Sequence, residues 1–123
     1  MINRMDKVNA QIKREIGTMI LMGEINDPRL KFVTITYAQV SKDLRYAKVG
    51  FSVLNNNPQE IKEVQQGLNS ARGYVRKLIG ERIKMRFTPE INFIYDRSLE
   101  YSDQINRALE DIKRDQKEDE AGP

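Results

Sequence analysis

The stretch Asn57 to Phe87, NPQEIKEVQQGLNSARGYVRKLIGERIKMRF, decides the reading of this chain. Ile61, Val64, Leu68 and Ala71 recur at spacings of three and four and make one helix face. Asn57 suits the cap, Pro58 the first helical position and Glu60 the acid of a capping box. Beyond Ala71-Arg72-Gly73, Val75, Leu78, Ile79 and Ile83 form a second apolar face, with Arg72, Arg76, Lys77, Arg82 and Lys84 mostly elsewhere. Gly73 at the join permits a bend or a close backbone approach, and Ala71, two positions before it, is also small. The expectation is a bent pair of helices, the second strongly basic.

Upstream, Asn3 to Met22 reads as an amphipathic helix on Met5, Val8, Ile12, Ile16, Met19 and Ile20, stopped by Gly23 and by Asn26-Asp27-Pro28. Phe32 to Val40 is rich in β-formers. Ser41-Lys42-Asp43 is a short polar connection, and Leu44 to Leu54 alternates with Ala47, Val49, Phe51 and Val53 on one face. Two such runs so tightly joined predict an antiparallel hairpin. Downstream, Glu90 to Asp96 is a third strand with apolar residues on both faces, expected inside the sheet. A last helix opens at Ser102-Asp103 and carries Ile105, Ala108, Leu109 and Ile112. Residues 114–123 lack apolar periodicity and are expected to form a charged tail without fixed structure, leaving residues 1–113 as one domain. The order predicts an α+β layer, helices on one face of a three-stranded sheet and the other face open.

Composition narrows the function. The chain has no Cys and no His, which removes disulfides, thiolate chemistry, the commonest general base and the commonest metal ligand. No phosphate-binding loop, dinucleotide fingerprint or metal-ligand spacing is present, so an enzyme is not expected and no cofactor is implied. The N-terminus has no apolar leader and no run reaches membrane-spanning length, so a cytoplasmic protein is the default expectation. Charge is unevenly spread: residues 1–86 hold 16 Lys and Arg against 8 Asp and Glu, residues 87–123 hold 5 against 10, and the chain nets +3. A basic body points to an anionic partner.

The leading candidates for that contact are Arg72, Arg76 and Lys77. Like charges at the i,i+4 spacing of Arg72 and Arg76 repel slightly, so a phosphate supplies a reason that helix stability does not. Arg82, Lys84 and Arg86 extend the run, with Glu81 among them. Lys42, Arg45 and Lys48 come from the hairpin, where Arg45 shares the parity of Ala47 and Val49 and is expected to snorkel at the sheet end. For these three a solvated surface is an equal alternative. Lys13 and Arg14 read as solvated helix surface, as do Arg4 and Lys7, of which the latter two are the better candidates. Tyr37, Tyr46, Tyr74 and Tyr101 could stack on bases, but half-burial with the hydroxyl in water explains them more simply.

The order of elements is that of type II KH domains, and the local motifs narrow the match. Arg4-Met5-Asp6-Lys7-Val8, Asp27-Pro28-Arg29, Val33-Thr34-Ile35-Thr36, Ser41-Lys42-Asp43-Leu44, Ala47-Lys48-Val49, Ala71-Arg72-Gly73, Pro89-Glu90-Ile91-Asn92-Phe93 and Asp96-Arg97-Ser98 together resemble the bacterial ribosome-binding factor A family. The resemblance runs from about Arg4 to Ile112. Ordinary KH domains clamp a nucleic-acid backbone with a Gly-x-x-Gly loop, absent here; the family carries an Ala-x-Gly kink instead, which Ala71-Arg72-Gly73 fits. The resemblance implies a non-catalytic assembly factor, monomeric when free, that binds the immature small (30S) ribosomal subunit and its rRNA. It also implies help in late maturation, including 5′-end processing of that rRNA, a role in cold adaptation, and functional association with assembly GTPases. The alternative reading is a protein-interaction adaptor for an acidic protein partner.

Overall fold

The computed structural model describes residues 3–120. Its order is α1 (Arg4–Leu21), a 3-10 turn (Pro28–Leu30), β1 (Thr34–Val40), β2 (Tyr46–Ser52), α2 (Pro58–Arg82), β3 (Glu90–Tyr95) and α3 (Ser98–Glu120). The Asn3 side chain caps α1 by accepting from the Asp6 N–H at 2.9 Å. At the other end Gly23, with φ +70°, takes the left-handed turn, and Glu24 N–H reaches the Met19 carbonyl at 2.9 Å.

β1 and β2 form the expected antiparallel hairpin, with Val40 opposite Ala47 and a bulge between Ile35 and Tyr37. Its turn is tied by Asp43, whose carboxylate accepts from the Ser41 hydroxyl at 2.7 Å and the Arg45 N–H at 3.1 Å. β3 then pairs parallel to β2, and the sheet order is β1-β2-β3. The third strand is therefore an edge and not an interior strand. Its inward side chains Ile91 and Phe93 are buried, whereas Ile94 stands on the open face. Apolar residues on both sides of β3 record a sheet face left uncovered on one side. Helix side chains satisfy one backbone group on each edge strand: Asn9 of α1 accepts from the Val40 N–H, and Gln65 of α2 donates to the Phe93 carbonyl, each at 2.9 Å.

The two predicted central helices are one continuous helix of 25 residues. Its buried positions Val64, Leu68, Val75, Leu78 and Ile79 keep one phase across Ala71-Arg72-Gly73, so a single core contact serves both halves. A lone glycine costs about 1 kcal/mol against alanine, too little to break a helix whose stripe is buried throughout. Gly73 does not serve close packing either: nothing lies within 4 Å of where its Cβ would be. Close approach occurs two turns earlier at Gly67, under Leu30, Asp27 and Arg29.

α1 and α2 cover one sheet face, and the core between them centres on Phe51, Ile12, Ile16, Leu68, Ile79 and Val49. Burying each such side chain contributes about 1.5–3 kcal/mol. α3 starts at Ser98, four residues before the expected Ser102, and continues through Glu120, so the helix takes in residues 114–120 of the expected tail. Residues 121–123 lie outside the described residues. Its first turn is held to β3 by the Tyr95 hydroxyl, which donates to the Glu100 carboxylate at 2.7 Å. Burial, then the Glu100 carboxylate, pushes that hydroxyl's pKa up to about 12.

Candidate nucleic-acid interface

The candidate cations divide into those the fold gathers and those it employs otherwise. α2 ends beside the start of β3, and the hairpin turn lies at that same end of the sheet because β3 begins opposite Tyr46. Arg45, Tyr46, Arg76, Phe87 and Thr88 consequently line one depression, with Asp43 and Glu90 on its strand side. Arg76, Lys77 and Arg86 line an adjoining shallow groove with Phe87, floored by Gly73 and Gly80. Arg76 belongs to both, and its guanidinium is oriented by donating to the Thr88 carbonyl at 3.1 Å. Arg72 is exposed one helical turn away on α2, and Lys84 is exposed in the connection to β3.

Lys42 is exposed in the hairpin turn at this end. Asn9 holds the N-terminal half of α1 to the end of β1, which brings the exposed Arg4 and Lys7 toward the same end. Lys48 stands apart: it alternates onto the open sheet face, opposite Gln39 and Asn92, away from α2.

Arg82 has a structural partner. It forks onto the Glu24 carboxylate, one arm at 3.1 Å, with Glu15 at 3.8 Å from the guanidinium. The hydrogen bond from Arg82, with its charge, holds Glu24 below the usual carboxylate range. An arginine so engaged is less available to a phosphate than Arg76, Lys77 or Arg86. Asp43 is likewise occupied; the Ser41 hydroxyl, then the Arg45 N–H, lower its pKa.

Phe87 was not legible as a site residue. It is 65 % exposed, and the Arg86 guanidinium carbon lies 5.5 Å from its ring centroid. The available signal was an aromatic closing a run of cations, Arg82, Lys84, Arg86 and then Phe87. Tyr46, read as half-buried, is 48 % exposed on the groove. Tyr74 is exposed and Tyr37 partly buried against Gly50, while the Tyr101 side chain lies outside the described residues. Among the described residues no cluster of acidic side chains could hold a metal, and no helix is long and apolar enough to cross a membrane.

An α+β domain with two helices on a mixed three-stranded sheet, and cations gathered at one sheet end, has the charge distribution expected of a small polyanion-binding module. A sequence profile for ribosome-binding factor A matches residues 4–109. The chain is 46 % identical over 116 residues to ribosome-binding factor A of Halothermothrix orenii, covering 94 % of this chain and 93 % of that one. It is 46 % identical over 117 residues to that of Caldanaerobacter subterraneus subsp. tengcongensis, covering 94 % of each. The chain belongs to the ribosome-binding factor A family. The crystal structure of ribosome-binding factor A from Thermus thermophilus shares the fold, with TM-score 0.67 at 22 % identity, over 78 % of this chain and 100 % of that one. A Thermus thermophilus ribosome-binding factor A model fitted into the cryo-EM map of a 30S complex is similar with TM-score 0.57 at 26 % identity, covering 72 % and 91 %.

Proposed function

We propose that this protein binds the small ribosomal subunit through its RNA and assists the subunit's late maturation without catalysing a reaction. The observation that carries the reading is the gathering of Arg45, Arg76, Lys77 and Arg86 at one end of the sheet in a member of this family. A relative of the same fold fitted into a 30S complex supports the choice of partner. Mechanistically, the cations neutralise phosphates and release counterions, while the shape of the face selects an RNA junction. Binding one arrangement of a late-folding RNA region better than its competitors shifts the population toward that arrangement. Assistance in 5′-end processing and in growth in the cold are the consequences proposed for that shift.

The test is sedimentation with small subunits, large subunits and assembled ribosomes at two salt concentrations. Selective co-migration with small subunits, weakened by salt, is expected. Arg72, Arg76 and Lys77 changed together to Ala should weaken it with little change in Tm. Unchanged affinity of that variant would remove α2 from the contact, and displacement by acidic protein but not by ribosomal RNA would favour an adaptor.

A further inference from the structure

Phe87 leaves a ring in water on a segment that is pinned in place. Thr88 beside it packs on α2 at Gly80, where a Cβ would come within 2.8 Å of the Thr88 Oγ1. The Thr88 carbonyl accepts from Arg76 at 3.1 Å, Pro89 is fully buried, and the Glu90 N–H donates to the Arg45 carbonyl at 2.8 Å. A segment held by four such constraints presents its phenylalanine in a defined place, and the ring forgoes the stabilisation that burial would bring.

The surroundings of the ring differ on its two sides. Toward α2 stand Arg76, Lys77 and Arg86, with no carboxylate lining that groove. Toward the strands Arg76, which reaches both sides, is joined by Tyr46, Arg45, Glu90 and Asp43, the last already accepting from Ser41 and Arg45. A phosphate meets cations alone on the first side, and on the second meets carboxylates beside the cations, so the first side favours it more. A nucleobase suits the second side: its face stacks on an aromatic ring, and an exocyclic amino group finds an acceptor in Glu90.

We propose that Phe87 is the stacking platform for one unpaired nucleobase, with the adjoining phosphate held by Arg76, Lys77 and Arg86. Within a duplex both faces of each base are taken by its neighbours, so a ring held on a protein surface selects a nucleotide that has left the stack. The site therefore reads an unpaired position in the RNA, where the cations alone read backbone. The inference rests on the small-subunit RNA reading above.

Its test uses the whole chain with purified small subunits, comparing wild type, Phe87→Ala and Phe87→Tyr. Affinity is measured by co-sedimentation, and nucleotide mobility by acylation of RNA 2′-hydroxyls at saturating protein. Phe87→Ala should bind about 10-fold more weakly. At saturation it should restore the reactivity of an unpaired nucleotide that wild type protects, while other protections persist. Phe87→Tyr, which keeps the stacking surface, should retain both properties. Unchanged affinity of Phe87→Ala would overturn the proposal. So would weakened affinity with an unaltered reactivity pattern, which would place Phe87 against a ribosomal protein. Failure of the wild type itself to bind small subunits would instead overturn the RNA reading on which the proposal stands.

Discussion

Arg82, in the last turn of α2, closes on Glu24, just past the end of α1, and ties the two helices together through residues 58 apart in sequence. The pair is solvent-exposed, so its contribution to stability is small and screened by salt. Arg82→Ala should lower Tm by a few degrees at neutral pH. The pKa of Glu24 is lowered in the folded protein from its ordinary 4.5, so the stabilisation is complete above about that pH. It is lost as pH falls through the lower folded-state pKa. The Tm difference between wild type and Arg82→Ala should shrink over that acid window in a thermal melt series; a constant difference would contradict the linkage.

The same residue supplies a control for the RNA contact. Each phosphate neutralised by a cation adds close to one to the slope of log affinity against log salt. Lys77→Ala should reduce that slope for small-subunit binding by about one. Arg82→Ala, whose guanidinium is engaged by Glu24, should leave it nearly unchanged. A slope lowered by about one for Arg82→Ala as well would show that Arg82 exchanges its carboxylate partner for RNA on binding.

Gly73 lies inside α2 with open space around it. Replacing it with Ala removes unfolded-state freedom and improves helix propensity, so Gly73→Ala should stabilise the free protein by about 0.5–1 kcal/mol in denaturant titration. Destabilisation would show that the helix needs a distortion there that only glycine permits. Reduced subunit binding with raised stability would mean that RNA approaches this point closely.

Gly67→Ala should behave in the opposite way on the same helix. Its Cβ would come within 3.0 Å of Leu30 and 3.2 Å of the Asp27 carboxylate. Both neighbours are constrained: Leu30 is buried, and Asp27 is held by Arg29 through contacts of 2.7–3.2 Å. Crowding of about 1–3 kcal/mol exceeds the propensity gain, giving a net loss of about 1 kcal/mol. A denaturation midpoint at or above wild type would show that the 3-10 turn yields.

The contrast between these two glycines marks the limit of the sequence. Both sit in the apolar-periodic stretch that identified α2, and nothing local separates them. A glycine beside two small or basic residues reads as a bend, yet the stripe from Val64 to Ile79 passes through it in phase. The second strand's central place was equally illegible. β3 carries apolar residues on both sides because the sheet has an uncovered face, a fact about its neighbours and not about its own pattern.

What the sequence by itself determined were the first helix, the helical character of the central stretch, the hairpin, the cap at Asn57 with Pro58 behind it, the inward faces and the basic bias of the body. These are encoded over a few residues, in periods of 3.6 and 2 and in the backbone preferences of Asn, Pro and Gly. Only the tertiary structure decided which charges are free. Arg76 and Arg82 are six residues apart on one helix and alike in chemistry. One is aimed into a groove by the Thr88 carbonyl, and the other is drawn down onto Glu24. Phe87 likewise owes its placement to constraints from Gly80 and Arg76 on α2 and from Arg45 on the hairpin, which belong to separate elements that only the fold brings together. Partners of that kind leave no periodicity in the sequence, because side-chain contacts between separate elements are set by packing and not by local spacing.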